Sequence, residues 1–179
     1  MKLLLHMCCA PCAVYVVDKI REENISIEGY FYNPNIHPHK EFEKRKKTTQ
    51  DYSIIDNIKI HYDDEYLEDK WREYNNEENN RCDMCYFIRL NKAAQFAKKN
   101  GFDAFTTTLL VSPYQKHNYL KTLGYDLAKK YGIYFYYKDF RLGFREGQKK
   151  AKEKGLYRQK YCGCIISYEN SEFKKAGKI

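Results

Sequence analysis

The sequence has no apolar run that approaches the roughly 18 residues needed to cross a bilayer. Its N-terminal apolar stretch, residues 3–5, is broken by His6 and is far shorter than the roughly 7–15 apolar residues of a secretion signal. No small-residue cleavage site follows that stretch. These absences argue against a membrane or secreted protein and predict one of the cytoplasm, where thiols stay reduced.

Three common ligand-binding patterns are also missing: G-x-x-x-x-G-K-[ST], G-x-G-x-x-G and H-E-x-x-H. Aromatic residues make up 16 % of the chain, which argues against disorder because such a chain can bury large side chains. The 179 residues suit one domain. We expect a single α/β domain over residues 1–179, a surface loop at residues 75–80 (NNEENN) and a tail that frays from about residue 168.

The formal net charge is +8, which favours an anionic partner, with nucleic acid as the first candidate. The basic residues are scattered along the chain and form no long arginine-rich block. A lysine-rich surface that binds no particular partner is therefore an equal alternative on charge alone.

Strand-like and helix-like segments alternate along almost the whole chain. The expected strands are residues 3–7, 25–32, 58–61, 104–110 and 133–137. The expected helices are residues 13–23, 39–57, 64–74, 81–99, 119–131 and 143–154, and a loop is expected from Tyr161. This alternation predicts a parallel sheet with helices on both faces. Ligands of such sheets lie beyond the carboxyl ends of the strands, where the first cysteines of this chain follow the first strand.

The seven cysteines form three groups: Cys8-Cys9-x-x-Cys12, Cys82-x-x-Cys85 and Cys162-x-Cys164. In a reducing compartment, such groups are more typical of ligands or catalysts than of structural disulfides. The middle pair falls on one face in the first turn of the predicted helix 81–99. The free N–H groups and the positive dipole end there favour thiolates. Two buried core cysteines are the alternative.

Four thiolates from the first two groups suit either Zn²⁺ or a [4Fe–4S] cluster. The side chains of the adjacent Cys8 and Cys9 diverge, which suits a multi-iron cluster better than one small ion. In the third group, Gly163 supplies the backbone freedom that a tight Cys162–Cys164 ring requires. A strained disulfide is easily reduced, so this pair is interpreted as a switchable dithiol, with two further metal ligands as the alternative.

Other side chains carry weaker signals. Asp63 follows the third predicted strand, where a carboxylate could reach a metal or act as an acid. Residues 114–117 and 141–145 place aromatic and basic groups after later strands, where a nucleotide could stack and pair its phosphates. Core and surface roles stay open for each of these residues.

Four stretches together resemble the cobalamin-independent epoxyqueuosine reductases, the QueH family: L-L-L-H-M-C-C-A-P-C, R-C-D-M-C-Y-F-I-R-L, F-T-T-T-L-L-V-S-P-Y and L-Y-R-Q-K-Y-C-G-C. The resemblance runs from residue 3 to about residue 167. It implies a Rossmann-like three-layer domain with a mainly parallel sheet, of the nucleotide hydrolase-like type. It also implies reduction of epoxyqueuosine to queuosine at the wobble position of tRNA, the last step of queuosine synthesis.

The resemblance implies four ligands of a [4Fe–4S] cluster: Cys8, Cys9, Cys82 and Cys85. Cys162 and Cys164 would form the redox-active disulfide.

A second iron is also implied for some members of the family. Its candidate ligands here are Cys12 and Asp63, and Asp63 or Asp139 would deliver a proton. The partners would be the anticodon loop of tRNA and an unidentified electron donor, with no membrane and a monomeric protein.

Two other interpretations remain. A zinc-stabilised RNA-binding module would leave the Cys162–Cys164 pair without a role. A thiol–disulfide oxidoreductase acting through C-A-P-C would leave Cys8, Cys82 and Cys85 unexplained, because such a site needs only two cysteines.

Overall fold

A computed structural model of the chain describes residues 1–74 and 78–171. The strands are β1 (Lys2–His6), β2 (Ser26–Tyr32), β3 (Ile60–Asp63), β4 (Ala104–Thr107) and β5 (Tyr134–Phe135). The helices are α1 (Ala10–Arg21), α2 (His39–Ile55), α3 (Glu68–Arg72), α4 (Glu78–Lys99), α5 (His117–Tyr131), α6 (Phe144–Glu153) and α7 (Ile165–Asn170). Residues 75–77 of the predicted loop and residues 172–179 of the predicted frayed tail lie outside the described residues.

The five strands form one parallel sheet in the order β3-β2-β1-β4-β5. After β1 the chain adds β2 and β3 on one side of β1, and it then crosses to add β4 and β5 on the other side. The carboxyl ends of β1 and β4 therefore flank a topological switch point, the place where open α/β sheets bind ligands. The predicted α/β class with helices flanking a parallel sheet is confirmed.

Helices cover both faces of the sheet. Helix α1 packs beside α2 and α6, and α4 packs beside α5. The central strand β1 is consequently buried on both faces, and its residues 3–5 are fully inaccessible, as expected for a parallel sheet between two helical layers. No helix in the described part of the chain is long and apolar enough to cross a membrane.

Besides shifts of helix ends, two segments differ in kind from the predicted elements. The strand expected over residues 104–110 ends at Thr107, because the Thr107 hydroxyl accepts the N–H of Leu109 at 3.1 Å and starts the 3-10 turn Thr108–Val111. The expected loop after Tyr161 instead leads into α7. Cys164 is its N-cap residue, and its sulfur accepts the N–H of Ser167 at 3.4 Å.

Gly124 lies in α5 against the buried ring of Phe135, and a Cβ added there would lie 2.2 Å from that ring. Alanine is ordinarily about 1 kcal/mol better than glycine in a helix. We nevertheless expect Gly124→Ala to lower the free energy of unfolding by about 1–3 kcal/mol, because overpacking outweighs helix propensity. Chemical denaturation measures this change, with Thr122→Ala on the exposed side of the same helix as the control. An equally stable or more stable Gly124→Ala variant would contradict the close contact.

Candidate active site

Three cysteines gather at the carboxyl end of β1. Helix α1 begins at Ala10, three residues before the predicted start, with Cys9 as its extended N-cap residue and Pro11 in its first turn. This early start places Cys12 in the first turn, facing back toward Cys8 and Cys9. The sulfurs of these three residues, here called the N-terminal sulfur group, all lie within 4.8 Å of one another. No other group of three Cys, His, Asp or Glu ligand atoms this close occurs in the part of the chain described.

Thr108 fixes the N-terminal sulfur group to the neighbouring strand of the switch point. Its hydroxyl accepts the backbone N–H of Cys8 at 2.9 Å and donates to the Cys8 sulfur at 3.1 Å. At the last residues of the two strands, the ring of His6 in β1 hydrogen-bonds the Thr107 hydroxyl in β4 at 2.9 Å. The role of Thr108 was missed in the sequence, although it lies inside the F-T-T-T-L-L stretch that carries the family resemblance.

Within the group, the three thiols have different proton affinities. Hydrogen bonds from Cys12 and Cys9, with the positive charge of Arg89, hold the pKa of Cys8 well below its usual value despite burial. Hydrogen bonds with Cys8 and Cys9, together with burial, raise the pKa of Cys12 well above its usual value. Cys8 therefore loses its proton more readily than Cys12. A metal that bound all three sulfurs would have to release protons.

The second cysteine pair lies in α4. Because α4 begins at Glu78 and not at the predicted residue 81, Cys82 and Cys85 fall in its second turn, where the helix dipole is weaker. Cys82 packs against the core that contains the N-terminal sulfur group, whereas Cys85 and Cys164 share a smaller buried cluster. Burial raises the pKa of Cys85 to about 12. Burial also raises the pKa of Cys82, so both thiols of the pair keep their protons at neutral pH until a metal displaces them.

A buried cation, Arg89, joins the first two cysteine groups. Its guanidinium lies 3.9 Å from the Cys85 sulfur and donates to the Asn33 side-chain oxygen at 2.8 Å. Asn33 in turn donates to the Met7 carbonyl at 2.8 Å, next to Cys8. Arg89 Nε is buried without a hydrogen-bond partner, and no carboxylate whose side chain is described lies within 4.0 Å of this guanidinium.

A guanidinium this buried needs a negative partner. The sulfur of Cys8, whose pKa is lowered, is placed to supply it, and Cys85 would add a second negative charge once a metal displaced its proton. A set of soft thiolate donors beside one fixed cation suits a metal centre that carries net negative charge, such as a thiolate-bound iron–sulfur cluster.

The third cysteine group is clamped to α2. Arg45, which is 3 % exposed, donates to the carbonyls of Tyr161 and Cys162 at 3.0 Å each. It also forms a buried ion pair with Glu41 at 2.7 Å. Because two backbone carbonyls and one carboxylate converge on one guanidinium, the path of the loop through Cys162 is fixed.

His37 holds the other side of the same loop. Its backbone N–H donates to the Gly163 carbonyl at 2.8 Å, and its ring accepts the N–H of Ile165 at 3.0 Å. Gly163 has a φ of +143°, which only glycine adopts readily. Cys162 is exposed, Cys164 is buried, and all seven cysteines are free thiols.

A cavity of about 290 Å³ opens above the switch point. Its lining combines three cysteines, two arginines and four amides: Cys8, Cys12, Cys162, Arg45, Arg89, Asn35, Gln115, Gln148 and Gln159. The first and third cysteine groups therefore face one space, and the amides offer hydrogen bonds to a polar ligand. The amides and arginines were missed in the sequence because their spacing forms no pattern.

The two predicted carboxylates lie elsewhere. Asp63 ends β3, where it accepts the Tyr30 hydroxyl at 3.2 Å and pairs with Lys92 at 3.3 Å, and it is not part of the N-terminal sulfur group. Asp139 accepts hydrogen bonds from the guanidinium and the backbone N–H of Arg141, which lower its pKa to about 2. A carboxyl group with that pKa is ionised at neutral pH and has no proton to donate.

The fold and the site together define a Rossmann-like α/β protein with a cysteine-rich cavity at its switch point. The sequence model of the family described as "Epoxyqueuosine reductase QueH" matches residues 3–170. The chain belongs to this family, as the resemblance of its motifs predicted.

Relatives cover nearly the whole chain. A Thermotoga maritima protein is 36 % identical over 175 residues, which span 92 % of this chain and 89 % of the relative. One from Dehalococcoides mccartyi is 33 % identical over 178 residues, spanning 99 % and 96 %. One from Haemophilus influenzae is 37 % identical over 179 residues, spanning 95 % and 73 %. Each of them is named epoxyqueuosine reductase QueH.

Proposed function

We propose that this protein is an epoxyqueuosine reductase that converts epoxyqueuosine in the anticodon loop of tRNA to queuosine. One observation carries the proposal: a single cavity at the switch point brings together the N-terminal sulfur group, Cys162 and two buried arginines. The names of the relatives supply the substrate. The net charge of +8 suits a polyanionic substrate such as tRNA.

We assign Cys8, Cys9, Cys82 and Cys85 as the residues that would hold a [4Fe–4S] cluster. When bound, the cluster would supply electrons one at a time. The contacts of Arg89 and Thr108 support this assignment, since Arg89 offsets thiolate charge and Thr108 orients the Cys8 sulfur. For a second iron, Cys12 has a suitable position within the sulfur group, whereas Asp63 is engaged by Lys92.

The reaction removes one oxygen atom, which takes two electrons and two protons and releases water. Closure of Cys162 and Cys164 to a disulfide yields two electrons and two protons, which balances the reaction. Cys162 faces the cavity, and Cys164 follows Gly163, whose φ of +143° is one that glycine adopts readily. We therefore place the protons on this dithiol and not on the ionised Asp139. An external electron donor of the cytoplasm would then restore the dithiol.

The test is an anaerobic assay on tRNA that bears epoxyqueuosine, with the nucleosides released and identified by mass spectrometry. We expect conversion to the alkene nucleoside by a protein with broad absorbance near roughly 400 nm that bleaches on reduction. The same tRNA without protein is the control. A colourless protein that holds one zinc and forms no alkene with a strong reductant would contradict the proposal and favour the RNA-binding module.

A further inference from the structure

Two large side chains stand in solvent near the cavity: Tyr114 lines it, and Leu142 lies two residues before the lining residue Phe144. Tyr114 is 82 % exposed and Leu142 is 99 % exposed. The Tyr114 ring meets the Phe144 ring edge-on, with centroids 5.7 Å apart, and both rings line the cavity. Single exposed apolar residues are ordinary, but a cluster beside a ligand site is typical of an interaction surface.

The cluster is built on a rigid base. Gly143 lies so close to Tyr15 of α1 that an added Cβ would be 2.0 Å from the Tyr15 ring, and Gly147 approaches the same residue. The turn that carries Leu142 and Phe144 therefore rests directly on the helix that carries Cys12. The exposed residues thus have a fixed position relative to the sulfur group.

The size of the cavity indicates what lies outside it. At about 290 Å³, it is at the lower end of the roughly 300–1,000 Å³ typical of small-molecule sites. A cavity of this size has no room for a loop of RNA, so at most one nucleoside of such a loop would enter it. The nucleotides next to that nucleoside must lie on the surface around the mouth.

The chemistry of the mouth suits unpaired nucleotides. Bases in single-stranded loops are splayed out and stack on exposed aromatic rings, which Tyr114 offers. Two basic side chains accompany these residues. Arg145 is exposed and follows Phe144 in the chain, and Lys160 lines the cavity. Such cations pair with the phosphates between stacked bases.

We propose that Tyr114 and Leu142 form the surface on which the unpaired nucleotides flanking the target nucleoside stack, while that nucleoside enters the cavity. This inference rests on the proposed function for the identity of the nucleic acid. The partner is a single-stranded loop of RNA, recognised by its bases and backbone and not by its paired stem.

The test uses the iron-loaded protein and an RNA hairpin with the anticodon sequence, in which 2-aminopurine replaces a base next to the wobble position. We expect Tyr114→Ala to weaken hairpin binding by about tenfold, the scale expected for loss of one stacked base. The quenching of 2-aminopurine on binding should also be lost. Tyr114→Trp should retain both. Leu142→Ala should weaken binding by a smaller factor.

Tyr134→Ala is the matched control. Tyr134 is 58 % exposed but begins β5 at the opposite, amino-terminal edge of the sheet, so its loss should leave hairpin affinity unchanged. Equal affinities of the Tyr114 and Tyr134 variants would overturn the inference. So would a wild-type protein that does not bind the hairpin, or a Tyr114 variant that loses only its response to a protein electron donor.

The two proposals can fail separately. Hairpin binding that depends on Tyr114, in a protein that forms no queuosine, would refute the reductase and keep the RNA surface. Normal queuosine formation with hairpin binding insensitive to Tyr114 would refute the surface and keep the reductase.

Discussion

The Cys82→Ser and Cys85→Ser variants are each expected to lose the iron–sulfur absorbance and to turn over more than about 100-fold more slowly. Loss of residues around metal ligands already costs roughly 10–100-fold, and a neutral hydroxyl is a poorer ligand for such clusters than a soft thiolate. The Cys162→Ser variant is expected to lose as much turnover but to keep the absorbance, because Cys162 would act in the dithiol and not as a cluster ligand. Iron and sulfide content, measured beside the anaerobic rate, separates the two outcomes.

A variant of Cys12 tests which four cysteines hold the cluster. Its sulfur lies within 4.8 Å of Cys8 and Cys9, so proximity alone would make it a ligand in place of a residue from α4. If the assigned residues are the ligands, Cys12→Ser should keep all four irons of the cluster and lose only the second, mononuclear iron. A Cys12 variant without the cluster, together with a coloured Cys82 variant, would move the ligand set into the N-terminal group.

The sheet was predictable because its strands carry local signals. Residues 3–5 are an apolar run bounded by the cysteine group, which indicates a strand buried on both faces. The end of β4 was not predictable in the same way. Three consecutive threonines favour a strand, but the Thr107 hydroxyl caps the next turn. That turn is what places Thr108 against Cys8.

The candidate site, too, was only partly predictable from the sequence. Cysteine spacing alone marked the three groups, since clustered thiols are rare without a role. The residues that organise those groups come from distant parts of the chain. Thr108 bonds Cys8 across 100 positions, and Arg45 bonds Cys162 across 117. A lone threonine or arginine has many ordinary surface roles, so only the topology shows which one is buried beside a sulfur.

Arg45→Ala is expected to lower the free energy of unfolding by about 3–5 kcal/mol, because it would leave the Glu41 carboxylate buried and unpaired. Glu41 is 1 % exposed, and besides Arg45 it accepts only the Tyr157 hydroxyl among the hydrogen bonds described. The carbonyls of Tyr161 and Cys162 would lose their donor as well. Thermal or chemical denaturation of the metal-free protein measures the change.

Helix α2 supplies its own control, since Lys47 and Asp51 form a second i,i+4 ion pair that is exposed. Lys47→Ala should cost no more than about 0.5 kcal/mol. Replacing both Arg45 and Glu41 by apolar residues should cost less than the sum of the single changes, because no buried charge is then left without a partner. Additive costs, or an Arg45 variant as stable as the Lys47 variant, would show that the clamp on the Cys162 loop does not depend on this buried pair. The fixed approach of Cys162 to the cavity would then have to come from His37 on the other side of the loop.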